Sequence, residues 1–265
     1  YLDLNKLLIL NNNIMKNLKI TLLLMAFIML SPMNILAQNQ MYAIHQDNVK
    51  PAMQAEYVKI NKELVEACKK HNLQGTEWYA SRIDDGTYIY VSPIKNMAEL
   101  DVDIFAPMVE KMGKDNFSSL FERFNKCYDS HGDYIVIHRK DLSYLASANA
   151  PTEAQNFTKY HFFFVAPENS KKMVEKLKEI KELYTSKKSK ETYQIYHSGF
   201  GEMNEYYVAV LNAKDEMAYE KISEENNTLL GEDWYKKFNE LFVLSLKYEQ
   251  KSGYMRPELS YQPKK

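Results

Sequence analysis

The sequence predicts an α+β chain made of two similar halves, each with the element order β-α-β-β-α-β. Three observations predict it. The letters RKDLSY at 139–144 return as RPELSY at 256–261, 117 positions later. Strand-like and helix-like patterns succeed one another in the same order ahead of each block, at offsets of 117 to 120. Each half also carries a turn signal between two short segments rich in strand-forming residues.

Taken in chain order, Tyr42 to His45 opens the first half as an apolar strand, and Tyr160 to Phe164 opens the second. Apolar residues then recur at three- and four-residue steps. Met53, Tyr57, Ile60, Leu64, Val65 and Cys68 do so between Pro51 and His71; Met173, Val174, Leu177, Ile180 and Leu183 do so between Ser170 and Lys187. That spacing makes one buried helix face, and Pro51 suits a first helical turn, where its missing N–H costs nothing. A hairpin follows in each half: Thr76–Arg82 with Thr87–Ser92 around Asp84-Asp85-Gly86, then Thr192–His197 with Tyr206–Leu211 around Gly199-Phe200-Gly201. A second helix is marked by Phe117, Leu120, Phe121 and Phe124, and its counterpart by Trp234, Phe238, Leu241 and Phe242. The closing strands are Tyr134–His138 and a shorter one near Tyr254-Met255, each running into its repeated block.

Residues 15–37 read as a signal peptide: a basic start (Met15-Lys16-Asn17-Leu18-Lys19), an apolar run from Ile20 to Leu30, and a small residue, Ala37, at the cut. The run is shorter than the ~20 residues that span a bilayer. Residues 1–14 read as an upstream extension, and the exported mature chain, periplasmic or extracellular, would begin near Gln38. The first unit is then 38–145, the small, polar stretch 146–157 a linker, and the second unit 158–265. With 34 basic and 35 acidic residues the formal charge is −1, which offers no field for nucleic acid. Cys68 and Cys127 fall late in helices expected to run antiparallel, which argues against a disulfide; they read as small buried hydrophobes.

The β-α-β-β-α-β order is the ferredoxin-like unit, an antiparallel sheet with both helices on one face. Two tandem units that join their sheets would form an intramolecular dimeric α+β barrel with the helices outside. In that arrangement the chain resembles the dimeric α+β barrel superfamily in a fused, single-chain form. This superfamily includes antibiotic-biosynthesis monooxygenases, heme-degrading monooxygenases, chlorite dismutases and NIPSNAP-type proteins. The resemblance covers nearly all of 38–265 and implies a monomer, with a cavity open to a small ligand, heme or an oxygenase reaction. It carries over no catalytic residue. The Asn/Trp/His set of the heme-degrading members has no alignable counterpart around Trp78, and neither His161 nor His197 stands in the context of a chlorite dismutase heme ligand.

Candidate chemistry is drawn from strand alternation. Ile44, Ile89, Val91, Ile135 and Ile137 form an aliphatic set suited to lie under helices. By elimination His45, Tyr88, Tyr90, Ser92, Tyr134 and His138 would face the barrel interior, as a pocket or as its filling. The candidate ligand-binding residues are therefore His45, Trp78, Tyr88, Tyr90, Tyr134, His138, His161 and His197. His71 and His131 read as residues beside helix ends. No HxxxH or HxH spacing occurs, so no metal site is expected, and no nucleophile or phosphate-loop motif is present. Ligand binding, an oxygenase or heme-related enzyme, and a structural envelope protein remain as functional classes. The repeated block, with Arg139, Tyr144, Arg256 and Tyr261, reads as a structural signature with Leu142 and Leu259 as anchors.

Overall fold

A computed structural model describes residues 39–146 and 154–264. The segments read as upstream extension and signal peptide, and most of the linker, lie outside the described residues. Eight antiparallel strands close into a barrel in the order β1-β3-β2-β8-β5-β7-β6-β4. They are β1 (Gln40–Val49), β2 (Tyr79–Ile83), β3 (Thr87–Ile94), β4 (Tyr128–His138), β5 (Phe157–Val165), β6 (Gln194–Ser198), β7 (Tyr206–Ala213) and β8 (Ser245–Met255). Helix α1 (Gln54–His71) follows β1, and α2 (Ala106–Met112) and α3 (Lys114–Phe124) precede β4. In the second half α4 (Ser170–Lys187) follows β5, and α5 (Glu216–Leu230) and α6 (Glu232–Leu244) precede β8.

Each helical layer covers the outer face of its own four strands and builds a separate core, one around Tyr57, Ile60, Met108 and Phe124, the other around Met173, Leu177, Phe163 and Leu241. Pro51 sits in a 3-10 turn at the entry to α1. Both cysteines are buried and free. The expected single helices before β4 and β8 are each two, broken at Gly113 and Gly231, which take φ of +83° and +67°. β8 spans 11 residues, longer than its sequence suggests. Its stretch Lys247–Lys251 is polar, and Lys247, Glu249 and Lys251 pair with the inward-facing Phe164, Phe162 and Tyr160.

The halves meet at two seams, β2–β8 and β4–β6, each with only three residue pairs in register. The repeated blocks reinforce both. The block after β4 enters the second half, where Leu142 is fully buried and Tyr144 bridges Tyr193. The block after β8 enters the first half, where Leu259 is fully buried, Tyr261 bridges Trp78, and the Tyr261 hydroxyl donates to the Leu73 carbonyl. The serines work alike: Ser143 Oγ accepts from the Ile195 N–H at 2.9 Å and Ser260 Oγ from the Ala80 N–H at 2.9 Å. The arginines pair within their own blocks, Arg139 with Asp141 and Arg256 with Glu258. Such partly exposed pairs contribute little; the leucines and tyrosines make the exchange.

Truncating one anchor therefore damages the opposite half. Leu259→Ala should lower unfolding free energy by about 2–5 kcal/mol, read as an earlier urea midpoint. Arg256→Ala should shift it far less.

Candidate functional site

Among the described residues a cavity lies on the helix-covered side of the sheet in each half. The larger, about 570 Å³, is in the first half. Its wall combines Leu64, Trp78, Phe105, Phe121 and Phe124 with a polar group of His45, Asp47, Asn61, Tyr90 and Asp133. Strand register assembles the polar group. His45 lies opposite Tyr90 of β3 and Asp133 of β4, and Asp47 lies opposite Tyr88 and His131. Helix α1 adds Tyr57, Asn61 and Leu64 at successive turns, from the same buried face that its periodicity predicts.

Within this group the hydrogen bonds have one consistent direction. The Tyr57 hydroxyl donates to Asp47 Oδ2 at 2.5 Å, so its oxygen accepts from the Tyr90 hydroxyl at 2.7 Å. Tyr90 in turn accepts from Asn61 Nδ2 at 2.5 Å. Burial, then the neighbouring phenol and the Asp47 charge, holds the Tyr57 hydroxyl far above the usual phenol range; burial raises Tyr90 as well. Both phenols stay protonated. Asp47 Oδ1 and Asn61 Oδ1 are buried without a hydrogen bond. Asp47 Oδ1 does lie 3.2 Å from His45 Nε2, an ion-pair contact without hydrogen-bond geometry.

His45 Nδ1 meets Asp133 Oδ1 at 2.8 Å. Burial alone would lower its pKa, but Asp47 and Asp133 outweigh burial and hold it at about 9. The ring is an imidazolium at neutral pH. Because the folded pKa lies above the unfolded 6.5, its contribution is complete below about pH 6.5 and is lost as pH rises through 9.

The second cavity, about 270 Å³, is lined by His161, Tyr184, Glu191, Tyr219, Trp234 and Tyr248 among others. Val49 and Val165 follow the register shifts of β1 and β5, and His45 and His161 each stand four residues before them. Their charge states differ. His161 faces two hydroxyls, Tyr248 at 2.6 Å and Tyr219 at 3.2 Å, and burial plus the nearby Lys159 pushes it down to about 4. Burial raises Glu191, which accepts from the Tyr184 hydroxyl and Asn226 Nδ2, both at 2.8 Å.

The expected site residues thus divide among several environments. His45, Trp78, Tyr90 and Tyr134 line the larger cavity, and His161 lines the smaller. Tyr88 packs into the helix-side core 4.7 Å from the Tyr57 ring. His138 points inward and stacks on Tyr196, while His197 stacks on Tyr207 and pairs with Glu205. The expected interior set is corrected by the register. His45, Tyr88 and Tyr90 face the helices, whereas Ile44, Ile89 and Val91 share the inner face with Tyr134 and His138. His131 is corrected too: it lies within β4 and not beside a helix end. Asp47, Tyr57 and Asn61 were not legible as candidates, because only register and helix docking bring them to His45.

No protein-family model matches the chain, and no curated protein matches it in sequence. Solved structures do resemble it. An anthrone oxidase-like protein is 9% identical, covering 82% of this chain and 91% of its own, with a TM-score of 0.56. A "putative monooxygenase" from Fusobacterium nucleatum subsp. nucleatum is 12% identical over 82% and 93% of the two chains, with a TM-score of 0.53. A mutant chlorite dismutase from Candidatus Nitrospira defluvii is 10% identical over 82% and 92%, with a TM-score of 0.49. The fold is that of the dimeric α+β barrel proteins.

Heme, an expectation of the resemblance read from the sequence, does not fit the two cavity histidines. His45 is flanked on both nitrogens by carboxylates, and the buried Asp47 stands 3.2 Å from Nε2, where a porphyrin plane would have to approach. Both nitrogens of His161 face phenol hydroxyls in the smaller cavity.

The charge on His45 is open to measurement. Stability should fall between about pH 6.5 and 9, and His45→Gln should flatten that slope in thermal melts across the window. An unchanged slope would show that His45 is not the titrating group.

Proposed function

We propose that the first half binds a small, largely apolar molecule carrying a hydrogen-bond donor. The carrying observation is the cavity of about 570 Å³, apolar and aromatic over most of its wall, whose polar residues Asp47 and Asn61 hold buried acceptors without hydrogen bonds. Cavities of this size and make-up are typical of small-molecule sites. A hydroxyl or amine would supply the missing donor, and hydrogen bonds to charged groups contribute about 1.5–3 kcal/mol.

1-Naphthol is a suitable probe, with 1-methoxynaphthalene as the partner lacking the donor. Trp78 lines this cavity and Trp234 the other, so a Trp234→Phe protein reports binding through Trp78 fluorescence alone. The naphthol should bind about 10-fold tighter or more, and Asn61→Leu should narrow the gap. Equal affinities would remove the reading.

An oxygenase acting on such a molecule is the second reading. Its support is the fold shared with the anthrone oxidase-like protein and the Fusobacterium protein, together with an imidazolium at the cavity. Dioxygen uptake with anthrone, above the rate in buffer and lost in His45→Ala, would favour it over binding alone.

The architecture proposed with this function is two tandem ferredoxin-like units closed into an intramolecular barrel. The repeated element order and the two exchanged blocks support it. Closure of the eight strands leaves no sheet edge for a second copy, which supports a monomer. Among the described residues no helix is long and apolar enough to cross a membrane. Export with cleavage near Ala37 completes the proposal, and N-terminal sequencing of the mature protein tests it.

A further inference from the structure

The sequence contains two His-x-Asp triplets, His45-Gln46-Asp47 and His131-Gly132-Asp133. They lie on antiparallel neighbours β1 and β4, with His45 opposite Asp133 and Asp47 opposite His131. Alternation puts all four side chains on the outer, helix-covered side of the sheet. The result is a square of two imidazoles and two carboxylates beside the larger cavity, to which His45, Asp47 and Asp133 contribute wall. We infer that this square is a binding site for one first-row divalent transition metal ion, held by His45, Asp47 and His131 and oriented by Asp133.

Four features support this. One ligand atom each from His45, Asp47 and His131 lie within 4.8 Å of one another. Metal bonds of about 2.0–2.2 Å call for somewhat closer ligands, and the exposed His131 ring, which rests against Tyr128 at 4.9 Å and His45 at 5.8 Å, would have to turn toward the other two. The Asp133 carboxylate takes Nδ1 of His45 at 2.8 Å, leaving Nε2 directed at Asp47. A carboxylate on the far ring nitrogen is the usual means of orienting a metal-ligating histidine. Asp47 is 4% exposed; its Oδ2 is held by the Tyr57 hydroxyl, while Oδ1, facing His45 Nε2, has no hydrogen bond. In the metal-free protein that oxygen faces the His45 imidazolium, and a metal ion placed between it and the two rings takes the place of the Nε2 proton, which is released on binding. The donor set of two imidazoles and one carboxylate suits zinc or iron(II) and not calcium or magnesium, which take oxygen ligands. Three protein ligands leave a coordination position free.

The inference shares Asp47 Oδ1 with the organic ligand reading but is tested apart from it: zinc binding without naphthol binding would sustain the one and remove the other. Full-length protein stripped with a chelator and titrated with Zn²⁺ in a calorimeter should bind one ion per chain. His131→Ala, which removes only an exposed ring resting on Tyr128 and His45, should shift the metal-free melting temperature little and weaken binding about 100-fold or abolish it. Asp133→Asn should weaken it about 10- to 100-fold, as loss of an orienting carboxylate does. His71→Ala, at the end of α1, should bind as the parent does. No uptake of Zn²⁺, or uptake unchanged in His131→Ala, overturns the inference.

Discussion

The structure depends on the reciprocal exchange of two short segments. Strand pairing between the halves is thin, three residue pairs at each seam against eight or more within β1–β3, β1–β4, β5–β7 and β5–β8. A barrel closed at such narrow seams would be easily opened. Leu142 and Tyr144 answer this at one seam by completing the core of the second half, and Leu259 and Tyr261 do so at the other by completing the first. Apolar burial is non-directional, so the arginine pairs flanking these anchors add register to the turn and little energy. The same exchange reaches the candidate site. Trp78, part of the cavity wall, donates its indole N–H to the Leu259 carbonyl at 2.8 Å and packs 5.0 Å from the Tyr261 ring.

With that frame fixed, the halves are free to differ where their helices cover the sheet. One topological position carries His45 in the first half and His161 in the second, each four residues before a register shift. Carboxylates surround the former and keep it charged; phenols and burial keep the latter neutral. Helix α1 offers Tyr57 and Asn61 to the polar group, while α4 offers Met173 and Leu177 to an apolar core. The difference is one of electrostatics placed on a common backbone, and it directs the functional reading to the first half.

The order of elements was legible in the sequence because helices and strands bury faces with different periods. Which strand face met which was not. His45 and Tyr88 were assigned together to the barrel interior by chemical type, yet the interior holds Ile44 and Val91, and the polar residues lie under helices. Alternation within a strand gives two sets of residues but not their phase relative to a neighbouring strand, which turns and bulges set. The paired His-x-Asp triplets show the same limit: 86 positions separate them, and only the β1–β4 register makes them one cluster. All of β8 but its end near Tyr254-Met255 escaped for a different reason. Its inward positions are lysine and glutamate, so no apolar alternation marks it.

The exchange of blocks also imposes an order of events on a chain made from its N-terminus. Residues 256–261 are synthesised after every strand of the barrel, yet they supply Leu259 and Tyr261 to the core built around α1. Domains usually fold as they emerge, first half first. Here the first half can collapse early but cannot seat Trp78 until the second RxxLSY block has left the ribosome. Assembly of the candidate pocket is thereby tied to completion of the barrel.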